Sequence, residues 1–73
     1  MKLFRKGQAD SFSGKSPQST DVYYKRGWKR GEEDRKFYDR GLADGLAGKI
    51  VRYRLSSYRR GWREGNRQRL EKQ

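Results

Sequence analysis

Arginine and aromatic side chains alternate in the last third of the chain, where the residue types best suited to binding chemistry are concentrated. Residues 49–73 carry nine Lys or Arg against two Asp or Glu, and seven of the nine bases are arginine. A guanidinium group contacts phosphate in a bidentate manner and stacks on bases. Tyr53, Tyr58 and Trp62 lie between the arginines. Basic residues interleaved with aromatic residues are typical of nucleic-acid binding, and of RNA binding especially.

The sequence therefore predicts a polyanion-binding surface made mostly from this segment. Phosphate contacts would dominate its affinity, which would fall steeply with salt. The alternative is a solvated helix face that only keeps the protein soluble. The predicted nucleic-acid-binding residues are Arg40, Lys49, Arg52, Arg54, Arg59, Arg60, Trp62, Arg63, Arg67 and Arg69.

Catalytic and metal-binding chemistry finds little support in the composition. The chain has no histidine and no cysteine, which excludes disulfides, cysteine nucleophiles, histidine bases and ordinary zinc sites. The carboxylates, such as those of residues 32–34 or the pair Asp39 and Asp44, lie among Lys and Arg, where charge balance is the expected role. We expect no enzymatic activity, no cofactor and no metal ion.

Length and charge limit the fold and indicate the partners. A chain of 73 residues with 30% hydrophobic and 40% charged residues forms at most one small domain with a modest core. A net charge of +11 favours an anionic partner, nucleic acid first and then an acidic protein surface or an anionic membrane. We find no apolar run of membrane-spanning length and no secretory signal in residues 1–10, so we expect a cytoplasmic protein without a membrane partner.

An octet, Tyr-x-Arg-Gly-(Trp/Leu)-x-x-Gly, occurs at residues 24–31, 38–45 and 58–65. Its Tyr, two Gly and Trp/Leu recur at i, i+3, i+4 and i+7, which is one face of an α-helix. Each glycine costs a helix about 1 kcal/mol relative to alanine, so the octets predict close approach of a second helix. The alternatives are that the notches receive RNA backbone or bases stacked on the aromatic rings, or that some glycines only end short helices or form turns. The predicted helix-packing residues are Tyr24, Gly27, Trp28, Gly31, Tyr38, Gly41, Leu42, Gly45, Tyr58, Gly61 and Gly65.

The spacing of the octets predicts the elements. The first two copies have the phase of one helix over about 20–47, whereas the third is about half a turn out of phase. A connector over 48–56, with Gly48 ending the first helix and Ser56 or Ser57 capping the next, leads to a helix over about 57–70. The polar residues 1–19 predict a disordered basic tail. The predicted fold is all-α: one domain over 20–73, a small antiparallel hairpin of two or three helices whose Tyr and Trp rings fill the glycine notches.

Two glycine-rich segments together resemble the ribosome modulation factor family of small basic bacterial proteins, over about residues 35–70. RGLADGLAGK (40–49) is similar to that family's Arg-Gly-x-x-x-Gly-x-Ala-Gly-Arg/Lys stretch, and residues 61–64 are similar to its Gly-Trp-Arg-Glu stretch. The matching residues are Arg40, Gly41, Gly45, Ala47, Gly48, Lys49, Gly61, Trp62, Arg63 and Glu64. The resemblance implies two connected helices that bind the RNA of the small ribosomal subunit and promote inactive ribosome dimers.

From the charge pattern and the resemblance together, we expect an rRNA-binding and ribosome-binding regulator of translation that acts in ribosome hibernation. One alternative is a small phage-type protein that inhibits a host protein through an acidic surface of that host. Another is a nonspecific nucleic-acid-binding protein. The octet at 24–31 and residues 1–19 have no counterpart in the family pattern.

Overall fold

The computed structural model describes residues 2–72, which form three α-helices. These are α1 (Lys2–Phe12), α2 (Val22–Leu46) and α3 (Ser56–Glu71). The all-α fold class is confirmed, with no strand among the described residues. The helices predicted over 20–47 and 57–70 correspond to α2 and α3. Met1 and Gln73, the outer ends of the predicted tail and domain, lie outside the described residues.

The chain divides into two compact units rather than one domain with a tail. The units are Met1–Arg35 and Lys36–Gln73, and their boundary falls within α2. The predicted single domain over 20–73 therefore does not match this division. The disordered tail predicted for residues 1–19 is also wrong for α1, which buries Gly7, Asp10 and Ser11. Its buried face consists of small and polar residues, so the composition of this segment did not indicate a packed helix.

In the first unit, α1 and the N-terminal part of α2 touch backbone to backbone at glycines. A Cβ on Gly7 would lie within 3.0 Å of the carbonyl oxygen of Tyr24, and one on Gly27 would lie equally near the carbonyl oxygen of Phe4. Real Cβ atoms essentially never approach other atoms so closely. The helices therefore meet at a separation that only glycine allows.

The second unit pairs the C-terminal part of α2 with α3 in the same way. A Cβ on Gly41 would meet the Tyr58 carbonyl oxygen, and one on Gly61 would meet that of Tyr38, again within 3.0 Å. The backbone of the facing helix therefore occupies the notches. The prediction that aromatic rings fill them is wrong, although the predicted packing residues do lie at these contacts and are buried or half-buried.

The paired helices run in the same direction. Gly41 faces Tyr58 and Trp62, and Gly45, one turn later, faces Trp62 and Asn66. Because the partners advance together along both helices, the pair is parallel, and the predicted antiparallel hairpin is wrong. The connector, residues 47–55, must run back along the helices. It can do so because extended chain covers about 3.3 Å per residue against about 1.5 Å in a helix.

Each unit ends its first helix with a glycine in the left-handed conformation. Gly14 has φ of 86° and Gly48 has φ of 73°. The Lys49 N–H donates to the Asp44 carbonyl at 3.0 Å and the Gly48 N–H donates to the Gly45 carbonyl at 3.1 Å. The first unit repeats both bonds 34 residues earlier. This arrangement is a Schellman cap, and it agrees with the prediction that Gly48 ends the first predicted helix.

The second helix of each unit begins differently. The carboxylate of Asp21 accepts the N–H groups of Tyr23 at 2.8 Å and Tyr24 at 3.2 Å, so it caps α2. The equivalent position before α3 is Leu55, which makes no side-chain cap bond. The predicted cap at Ser56 or Ser57 is therefore wrong, because α3 already begins at Ser56.

Candidate nucleic-acid interface

A buried tyrosine bonded to a buried aspartate organises each unit. Tyr24 and Tyr58 are both 0% exposed, while Asp10 is 7% exposed and Asp44 is 6% exposed. The Tyr58 hydroxyl donates to Asp44 Oδ2 at 2.6 Å, and the Tyr24 hydroxyl donates to Asp10 Oδ2 at 2.7 Å. Burial, and then the bond to the carboxylate, raises the pKa of both tyrosines above 10.0. The charge-balance role predicted for Asp44 is wrong, because the carboxylate lies inside the second unit.

The same tyrosines hold the connectors in place. The Tyr58 hydroxyl oxygen accepts the backbone N–H of Arg52 at 3.3 Å, and the Trp62 indole N–H donates to the Lys49 carbonyl at 2.8 Å. The corresponding bonds of the first unit join Tyr24 to Gln18 at 2.9 Å and Trp28 to Lys15 at 3.1 Å. The connector backbone of each unit is thus attached to the helix that follows it.

These bonds reveal that the two units are copies of one pattern, offset by 34 residues. The Tyr–Asp bond spans 14 residues, the Trp–Lys bond 13 and the Tyr–connector bond 6 in both units. The identical pairs are Lys2 and Lys36, Gly7 and Gly41, Ala9 and Ala43, Asp10 and Asp44, Gly14 and Gly48, Lys15 and Lys49, Tyr24 and Tyr58, Arg26 and Arg60, Gly27 and Gly61, Trp28 and Trp62, Gly31 and Gly65, and Arg35 and Arg69. We conclude that the chain contains an internal repeat.

The predicted binding residues all belong to the second unit, and most of them are exposed. The exposed members are Arg40, Lys49, Arg52, Arg54, Arg59, Arg60, Arg63 and Arg67, whereas Trp62 and Arg69 are half-buried. Tyr58, Gly61 and Gly65 of α3 are buried. The exposed basic residues of α3 therefore occupy a different part of the helix surface from the packed glycine face.

Arg67 and Arg69 are predicted binding residues whose guanidinium groups are already engaged within the protein. The Arg67 guanidinium pairs with Glu64 and Glu71, and its hydrogen bonds lower the pKa of the Glu64 carboxyl. Arg69 donates to the Gly45 carbonyl at 3.3 Å and to the Asn66 side chain at 2.7 Å. These contacts compete with a ligand phosphate, so Arg67 and Arg69 are weaker binding candidates than Arg54, Arg59 and Arg63.

An open groove of about 610 Å³ lies at the connector of the second unit, lined by Val51, Arg52, Tyr53, Arg54 and Arg59. It brings three of the predicted arginines next to one aromatic ring. In the sequence, Tyr53 is one of the aromatic residues between the arginines, and it is not among the predicted binding residues. No carboxylate is among the lining residues, so the groove suits an anionic ligand.

The corresponding connector of the first unit has the same backbone bonds but different side chains. Residues 16–21 read SPQSTD, whereas residues 50–55 read IVRYRL. The first segment has one acid and no base, while the second has two arginines and no acid. The two copies therefore differ in charge and aromatic content at the groove-forming segment.

No family model matches the chain, and no curated protein or solved structure is detectably similar to it. Within residues 2–72, no helix has the length and apolar character needed to cross a membrane. The same part of the chain contains no cluster of three or more carboxylates arranged to hold a metal ion.

Proposed function

We propose that the chain binds RNA through its second unit and regulates translation in the cytoplasm by binding the RNA of the small ribosomal subunit. The observation that carries the proposal is the concentration of exposed arginines on one unit, around a groove without carboxylates. Arginine is suited to this role because its planar fork of donors matches phosphate geometry.

The helix pair supports the proposal by giving these arginines a defined base. Backbone contacts at Gly41, Gly45, Gly61 and Gly65 hold α2 against α3. Arg59 and Arg63, one turn apart on α3, lie on its exposed surface. Side chains one turn apart on a helix are neighbours about 5–6 Å apart, and they could contact successive phosphates of one RNA strand.

The resemblance to ribosome modulation factor supports the choice of a ribosomal target. Its glycines perform identifiable structural tasks in this chain: Gly41, Gly45 and Gly61 allow helix contact, and Gly48 caps α2. Lys49 and Arg63 belong to the matched stretches and are exposed, so these basic side chains are accessible for contact with RNA.

Co-sedimentation with purified small ribosomal subunits across a salt series tests the proposal. We expect the parent protein to sediment with subunits at low salt and to dissociate as salt rises. The triple variant Arg54→Gln, Arg59→Gln and Arg63→Gln should dissociate at lower salt. Absence of co-sedimentation at every salt concentration would reject the ribosomal target.

A pull-down from nuclease-treated lysate separates the alternatives. Recovery of one stoichiometric protein without RNA would favour a host-protein inhibitor. Equal affinity for duplex DNA and for rRNA fragments would instead favour nonspecific nucleic-acid binding.

A further inference from the structure

The groove of the second unit combines features that suit one nucleotide of an RNA strand. Its volume of about 610 Å³ falls in the range of about 300–1,000 Å³ that small-ligand sites occupy. Tyr53 is 40% exposed at this site, and three arginines line the same space. Aromatic rings that receive bases, next to basic groups that receive phosphates, form the usual platform for single-stranded nucleic acid.

The Tyr53 ring of the groove packs against two other aromatic rings of the second unit. The Tyr53 ring meets the Tyr58 ring edge-on, with centroids 5.1 Å apart and planes at 87°, and meets Phe37 at 6.5 Å and 67°. Tyr58 is fully buried, so it is a fixed support. A ring positioned in this way loses little freedom when a base stacks on it.

The backbone beside the ring is also fixed. The Arg52 N–H donates to the Tyr58 hydroxyl, which in turn donates to Asp44 inside the unit. The groove therefore rests on the buried Tyr–Asp pair. The first unit keeps this pair and its bond to Gln18, yet has no arginine or aromatic residue in residues 16–21. The same fold therefore forms without arginine or aromatic residues in the connector. Folding does not explain why the second unit has them.

The groove chemistry favours unpaired rather than paired RNA. In a double helix the base faces are covered by stacking, and the deep major groove does not admit side chains. Only an unpaired nucleotide can place its base on an aromatic ring while its phosphates reach arginines on either side.

We propose that this groove binds an unpaired RNA nucleotide, with the base on the Tyr53 ring and the flanking phosphates on Arg52, Arg54 and Arg59. The proposal rests on the proposed RNA-binding function and specifies its substrate as single-stranded RNA.

Fluorescence anisotropy of the full chain with two labelled RNAs of equal length, one unstructured and one a blunt duplex, tests the proposal. We expect the parent to prefer the unstructured RNA. Tyr53→Leu should lose about 5- to 150-fold in affinity for it, the range that stacking of one base on one ring gives. Tyr53→Phe keeps the ring and should bind like the parent. Tyr23→Leu, at a residue 48% exposed in the first unit, is the matched control and should also bind like the parent.

A connector exchange provides a second variant whose backbone has a template in the same chain. Replacing residues 50–55 with the SPQSTD sequence of residues 16–21 should abolish the preference for unstructured RNA. Weaker salt-dependent binding through Arg59 and Arg63 should remain. Circular dichroism confirms that each variant stays helical.

The outcomes separate the two proposals. If Tyr53→Leu and the exchanged chain bind unstructured RNA as tightly as the parent, the groove proposal is overturned while RNA binding stands. If the parent binds neither RNA even at low salt, both proposals are overturned.

Discussion

At the residue scale, a glycine at the centre of the second helix pair decides how closely the helices approach. Gly61→Ala would normally stabilise a helix by about 1 kcal/mol. Here the added methyl group would strike the Tyr38 carbonyl, so we expect a loss of about 1–3 kcal/mol, the cost typical of overpacking. Thermal denaturation followed by circular dichroism should show a lower Tm.

The control for this substitution is a residue of α2 that is exposed. Ala43→Gly reports the helix propensity alone, and it should cost about 1 kcal/mol. A Tm for Gly61→Ala above that of the parent would contradict the backbone contact.

The buried tyrosines predict how stability depends on pH. Burial and the bond to Asp44 raise the pKa of Tyr58 above 10.0. Burial and the bond to Asp10 raise the pKa of Tyr24 in the same direction. The unfolded chain therefore ionises its tyrosines first. The stability from these groups is complete below about pH 10 and is lost as pH rises through the higher folded pKa values. Denaturant titrations between pH 8 and pH 11 should show this alkaline loss.

Tyr58→Phe identifies the source of that loss. It removes the hydroxyl that donates to the buried Asp44 carboxylate, so we expect about 1–3 kcal/mol of destabilisation at neutral pH. The alkaline loss should become smaller, because one tyrosine no longer titrates. Tyr53→Phe, at a residue that is 40% exposed, should leave the stability at neutral pH nearly unchanged. An alkaline loss of unchanged size in Tyr58→Phe would rule out this residue as its source.

At the element scale, the absence of a cap on α3 leaves room for stabilisation. Asp21 caps α2, whereas the equivalent Leu55 does not cap α3. Leu55→Asp should stabilise the second unit by about 1 kcal/mol, and Asp21→Leu should destabilise the first by a similar amount. Denaturant titration measures both. A destabilising Leu55→Asp would mean that the leucine side chain contributes more than a cap.

The three helices differ in how well they could be predicted from the sequence. The octets located α2 and α3 because their aromatic and glycine residues repeat with helical spacing. Residues 4–11 correspond in the repeat to the octet at 38–45, but they could not be recognised as an octet because only Gly7 of its five defining residues is kept. The parallel direction and the buried aspartates could not be predicted. Both depend on the connector running back along the helices to meet Tyr58 and Trp62.

The candidate site, too, could be predicted only in part. Exposed arginines could be predicted because their positions on α3 avoid the glycine face. The groove could not, since it is formed by irregular backbone whose conformation depends on the bond between Arg52 and the buried Tyr58. Arg67 and Arg69 are weaker binding candidates than the sequence predicts, because Glu64 and Asn66 engage their side chains.

At the scale of the whole molecule, the two units share one fold but differ in net charge, and the second unit is the more basic. Residues 36–73 carry eleven bases and four acids, against nine bases and five acids in residues 1–35. The scaffold bonds are the same in both units, whereas the connector side chains differ. We therefore expect RNA binding to depend mainly on the second unit.

The salt dependence of RNA affinity, compared between matched variants of the two units, tests whether the second unit carries the RNA-binding surface. Arg59→Gln with Arg63→Gln in the second unit has a counterpart in Lys25→Gln with Lys29→Gln, at the equivalent exposed positions of the first. For an unstructured rRNA fragment, the second-unit pair should weaken binding at least about tenfold and lower the slope of log K against log salt by about 1.4, or about 0.7 per lost phosphate contact. The first-unit pair should change both values far less. Equal losses from the two pairs, or no loss from either, would contradict RNA binding through the second unit.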